Sequence, residues 1–90
     1  MTTPMDRALF ITRTVNWIND TLVPAGVSVD ADTPLFAGGL INSIRVLRLI
    51  AWTEHALGIR IPDARIRMDY FRTVRQIAVT FAQGDNNVAA

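Results

Sequence analysis

Apolar residues recur at Ala8, Ile11, Val15, Ile18 and Leu22, in steps of three and four. That spacing draws one stripe along a helix. Thr2 or Thr3 can cap it, Pro4 suits its first turn, and Val-Pro-Ala-Gly at 23–26 ends it. A first helix is therefore expected over about 4–22. Trp17 falls off the stripe and is expected to pack at the rim. A second stripe, Val46, Leu49, Ile50, Thr53 and Leu57, marks a helix that opens at Asn42 or Ser43 and stops at Gly58. Thr73 followed by Gln76 has capping-box spacing and opens a last helix with Val74, Ile77, Ala78 and Phe81 inward.

The connections are equally patterned. Residues 23–41 hold Pro24, Gly26, Pro34, Gly38 and Gly39, with Leu35, Phe36 and Leu40 available to tie the loop to a core. Loops of this length inside compact domains are often functional. Ile-Arg-Ile-Pro-Asp at 59–63 predicts an extended link with Ile59 and Ile61 as buried anchors, because Pro62 cannot continue a helix. A short helical turn is expected near Met68–Phe71, and residues 84–90 read as a frayed tail. Strand signals are weak throughout. The pattern predicts one small all-α domain over 1–83: three main helices, a short third helix and a long first loop, a small four-helix bundle.

Composition narrows the chemistry. There is no cysteine, which removes disulfides, thiolate nucleophiles and cysteine-ligated metals. There is one histidine, His55, and no lysine, so neither a histidine metal set nor a phosphate-binding loop with its lysine can be assembled. His55 lies about 18 Å along the same helix from Ser43, too far to act as its base. A serine hydrolase is thereby disfavoured, and no metal site is expected. No apolar run is long enough for a membrane span, and the first ten residues do not form a signal peptide, so a cytoplasmic protein is expected.

Net charge is +1, but all nine basic residues are arginine and they are unevenly placed. Residues 43–75 carry seven arginines against three carboxylates, a net +4, while residues 1–42 are net −2. A positive second half suits a solvated face, or docking to an acidic partner or a phosphate. A nucleic-acid- or protein-docking helical module is one reading of it. Nucleic-acid binders, however, usually concentrate more charge than +1 overall.

The remaining feature is the seam Gly39-Leu40-Ile41-Asn42-Ser43-Ile44. A helix N-terminus has unpaired N–H groups and a positive dipole end, which favour an anion. If Asn42 is the cap, the Ser43 hydroxyl is free and can carry a phosphate ester. If Ser43 is the cap, its oxygen is occupied. On spacing alone the capping role for Ser43 is favoured.

Residues 30–82 resemble acyl and peptidyl carrier proteins. The shared pattern is Leu35, the Gly39–Leu40 pair, Ser43, Glu54, Ile61–Pro62 and Phe71-Arg72-Thr73-Val74, in order over some fifty residues. The resemblance implies a discrete, non-catalytic, monomeric carrier. Its cofactor would be 4'-phosphopantetheine from coenzyme A, covalent on Ser43, with Asn42 as the cap beside it. The cofactor thiol would hold an acyl or aminoacyl cargo as a thioester, which a protein without cysteine cannot do alone. The implied partners are a phosphopantetheinyl transferase, an adenylating ligase or acyltransferase that loads cargo, and downstream synthase or tailoring enzymes. Neither nucleic acid nor membrane is among them. By position, Ile44, Leu47 and Ala51 would make the apolar docking surface, with Arg45 and Arg48 beside them, although Leu47 equally suits core packing. Trp52 is either an exposed aromatic contact or a cover over the link.

Two departures from the family pattern stand out. Asn42-Ser43-Ile44 replaces Asp-Ser-Leu, which keeps the cap and drops the charge. The second helix is basic where the family's is acidic, which implies partners with an acidic or neutral patch. Both point away from fatty acid synthesis and towards a dedicated carrier in polyketide or nonribosomal peptide metabolism.

Overall fold

The computed structural model describes residues 6–82. Asp6 opens the first helix, α1 (Arg7–Trp17), by accepting a hydrogen bond from the Leu9 N–H at 2.8 Å. The caps expected at Thr2 or Thr3, Pro4 and the tail at 84–90 lie outside the described residues. A carboxylate does the capping of α1 instead, where it also faces the positive end of the helix dipole.

The buried line of α1 differs from the expected stripe. Phe10 and Thr14 are buried on α1, and Ile18 and Leu22 on the π-helical turn that follows it, Ile18–Leu22. Ala8 is exposed, and Ile11 and Val15 are half-buried. Successive steps of four over-rotate an α-helix by about 40° each. A π turn, closed here by the Val23 N–H donating to the Ile18 carbonyl at 3.2 Å, is wider and takes that rotation back. Leu22 thus returns to the core face.

The second helix, α2 (Ser43–Leu57), buries Val46, Leu49, Ile50 and Thr53, with Leu57 half-buried, and ends at Gly58 in the left-handed conformation (φ 66°). Glu54 then organises the link. Its backbone carbonyl accepts from the Ile59 N–H at 3.0 Å and its carboxylate from the Ile61 N–H at 2.8 Å. Ile61 is drawn into the core, but Ile59, on the turn itself, stays 38% exposed and is not the anchor expected. Two 3₁₀ turns follow, Asp63–Arg65 and Met68–Phe71; the second is the expected short helix and buries Phe71. The last helix, α3 (Val74–Phe81), is capped by Thr73, whose hydroxyl accepts from the Gln76 N–H at 3.0 Å. The reciprocal half of the box is replaced: the Gln76 amide donates to the Thr80 hydroxyl at 2.9 Å.

The architecture is an all-α, acyl-carrier-like bundle in which α1 packs on both α2 and α3. Phe10, Leu35, Leu49, Phe71 and Ile77 meet in one core. Trp52 is neither a free contact nor a cover over the link. Its ring stacks on Trp17 at 4.8 Å, nearly parallel, and its indole N–H donates to the buried Thr14 hydroxyl at 3.0 Å. The aromatic pair closes α1 onto α2. Among the described residues no helix is long and apolar enough to cross a membrane.

Candidate functional site

The position of Ser43 is set by the loop before it, which is fastened at three places. The Asn19 side-chain amide donates to the Val29 carbonyl at 3.1 Å, and its oxygen accepts from the Val29 N–H at 2.8 Å. The Arg75 N–H donates to the Ala31 carbonyl at 2.9 Å, while its guanidinium forks onto the Asp32 carboxylate at 2.7 and 3.1 Å. Those hydrogen bonds hold the Asp32 carboxyl below its ordinary value. Lastly, the Leu35 N–H donates to the Arg72 carbonyl at 2.8 Å, and the Ile41 N–H donates to the Leu35 carbonyl at 2.9 Å. Leu35 and Ile41 are both buried. Between them Gly38 and Gly39 take positive φ (64° and 75°), a double reversal that side-chain-bearing residues resist. The turn that carries Ser43 therefore stands on two core anchors.

Asn42 is the N-cap of α2. Its side-chain oxygen accepts from the N–H groups of Ile44 at 3.1 Å and Arg45 at 2.8 Å. The capping role that spacing alone favoured for Ser43 thus falls to Asn42: Ser43 is the first helical residue, exposed, and its hydroxyl makes no hydrogen bond among the described residues. A phosphate ester fits this hydroxyl. It would lie at the positive end of the α2 dipole, with free access from solvent. Because Asn42 already occupies two N–H groups, the attraction would come from the dipole more than from direct backbone donation.

The docking candidates divide. Ile44, Leu47, Arg48 and Ala51 stand at i, i+3, i+4 and i+7 and are all exposed, on one outward stripe. Leu47, at 63% exposure, is not a core residue. Arg45 leaves this group: its guanidinium donates to the Leu22 carbonyl at 2.9 Å, tying the start of α2 to the end of the π turn.

Much of the positive second half is likewise engaged internally. Arg72 pairs with Asp69 at 2.7 Å, Arg75 with Asp32, and Arg65 lies over the rings of Tyr70 and Phe81 at 5.6 and 5.3 Å. His55 is exposed on α2, and among the described residues no cluster of metal-ligating side chains occurs.

The side-chain bonds made by Asn19, Arg45 and Glu54 have no local sequence signal, since each joins groups seven or more residues apart. A family model described as a phosphopantetheine attachment site matches residues 16–79. No curated protein matches the chain.

Proposed function

The chain belongs to the phosphopantetheine attachment-site family, and on that premise we propose that Ser43 is the attachment point of the 4'-phosphopantetheine that this family carries covalently. The observation that carries the proposal is the exposed, unbonded Ser43 hydroxyl at the first position of α2, with Asn42 as the cap. When bound, the arm supplies the thiol that a chain without cysteine lacks. The protein's own residues do the remaining work. Asn42 keeps the helix end closed without using the serine oxygen, and Leu35 and Ile41 hold the turn on the core.

Carrier domains of this kind are generally non-catalytic and meet a phosphopantetheinyl transferase and other enzymes. For this chain we read a discrete, monomeric, cytoplasmic carrier that is not itself an enzyme, with its carrier domain over 1–83. It would hold an acyl or aminoacyl intermediate, loaded by an adenylating ligase or acyltransferase, for synthase or tailoring enzymes of polyketide or nonribosomal peptide metabolism. The basic second helix and Asn42 in place of aspartate support this over fatty acid synthesis. The internal engagement of four of the seven arginines in residues 43–75 weighs against a nucleic-acid partner.

The test is direct. Incubation with coenzyme A and a phosphopantetheinyl transferase, followed by intact mass measurement, should add one phosphopantetheinyl group to the wild type and none to Ser43→Ala. Addition to Ser43→Ala, or to neither protein with the host's own transferase, rejects the assignment.

A further inference from the structure

Arg45 is the third residue of α2, after the Asn42 cap. Helices favour glutamate or glutamine at that position, because such a side chain reaches back to the helix end and suits the positive pole of the dipole. An arginine there has the wrong sign. Its Nη1 donates instead to the Leu22 carbonyl at 2.9 Å, at the C-terminal end of the π turn, where the dipole favours a cation. The guanidinium therefore stands between the negative end of the first helical run and the positive end of α2. Arg45 is otherwise exposed, and its Nε and Nη2 make no hydrogen bond among the described residues.

A phosphate ester on Ser43 finds few other donors. Asn42 takes the N–H groups of Ile44 and Arg45 on its side-chain oxygen, and that of Val46 on its backbone carbonyl at 2.9 Å. Ile44 and Leu47, exposed nearby, are apolar. The chain has no lysine, and the next arginine, Arg48, is neither three nor four residues from Ser43 and does not neighbour it on the helix. Arg45 is the one cation in the turn that carries the serine.

We propose that the free edge of the Arg45 guanidinium holds the phosphate of the loaded chain, while Nη1 stays on the Leu22 carbonyl. The proposal rests on Ser43 being the attachment point. Helical side chains lean towards the N-terminus, which brings a side chain at this position back to the end where Ser43 stands. The Nε–Nη2 edge matches two phosphate oxygens, and such a forked ion pair is stronger than a bond to a neutral group. The Leu22 carbonyl fixes the guanidinium beforehand, so less side-chain freedom is lost when the phosphate arrives. The phosphate also removes the mismatch between Arg45 and the α2 dipole. Loading thus ties Ser43, through Arg45, to the end of the first helical run. Arg45 fixes the root of the arm and takes no part in the chemistry at its thiol.

The test compares unloaded and fully loaded protein, with intact mass confirming each state. Arg45→Met, Arg45→Lys and Arg13→Met, the last at an exposed position of α1, are unfolded in denaturant beside the wild type. Arg45→Met should lower the folding constant by a factor roughly fivefold larger in the loaded form than in the unloaded form. That excess should shrink near 1 M salt, where the Debye length is about 3 Å. Arg45→Lys should restore little of it, since an ammonium has no planar fork, and Arg13→Met should cost the same in both forms. NMR of the wild type needs no variant. On loading, the Arg45 Nε–H resonance should shift and exchange more slowly with water, while the Leu22 carbonyl carbon keeps its shift. Equal losses for Arg45→Met in the two forms, or an Arg45 Nε–H unchanged by loading, overturn the phosphate contact alone. A Leu22 carbonyl carbon that moves, on loading, to its position in Arg45→Met overturns the bridge. No loading of the wild type by any transferase, including the host's, overturns the carrier reading and this proposal with it.

Discussion

At the scale of single residues, the decisive pair is Asn42 and Ser43. One supplies the hydrogen-bond acceptor for the helix end, so the other does not have to. Asn42→Ala removes an acceptor from two N–H groups and should lower unfolding stability by about 1 kcal/mol. Asn42→Asp should keep that stability, since aspartate caps equally well and adds a charge at the positive end of the dipole. Chemical denaturation of the three proteins checks both statements. Equal midpoints for Asn42→Ala and the wild type would show that the cap is energetically idle. Capping chemistry is local, which is why Asn42 was legible in the sequence as a possible cap. Spacing alone favoured Ser43 for that role, because it does not register which of two adjacent cap-competent residues bends out of the helix. The backbone decides it, with Asn42 extended (φ −93°, ψ −179°) and Ser43 helical.

At the scale of elements, the periodic parts were legible and the compensations were not. The inward faces of α2 and α3 and the Met68–Phe71 turn follow directly from spacing and turn residues. The first helix did not follow, because a step-of-four line such as Phe10, Thr14, Ile18 and Leu22 stays on one face only if the helix widens. Thr14 also lacks the apolar signature, although the Trp52 indole N–H makes it a satisfied core residue. The link after α2 was half legible: Pro62 announced it, but the Glu54 carboxylate that selects Ile61 over Ile59 did not. Two substitutions probe this element. Gly58→Ala meets open space but must adopt φ 66°, and should cost about 1 kcal/mol from backbone strain alone. Glu54→Ala leaves the half-buried Ile61 N–H without its acceptor and should cost about 1–3 kcal/mol, with Glu54→Gln losing less. Thermal unfolding distinguishes these outcomes, and no loss in Glu54→Ala would mean the link is held by Ile61 packing alone.

At the scale of the whole molecule, the acidic first half and basic second half meet across the loop-to-α3 contact at Asp32 and Arg75. The arginine holds the Asp32 carboxyl below its ordinary value. A carboxyl lowered in this way favours the folded state above its unfolded value, near 4, and that contribution disappears as pH falls through the lowered value. The wild type should therefore lose stability relative to Asp32→Asn on acidification below about pH 4, and hold its advantage unchanged between about pH 5 and 8. A constant difference at all pH values would remove the ionic latch from the account. This long-range pairing of residues 43 apart was visible in the sequence only as a charge imbalance. Both tryptophans of the chain sit in the one stack between α1 and α2. Its entire indole emission is consequently a built-in gauge of a single joint, so that any loosening of the helix bearing Ser43 from α1 during an encounter can be followed optically, on unlabelled protein and in real time.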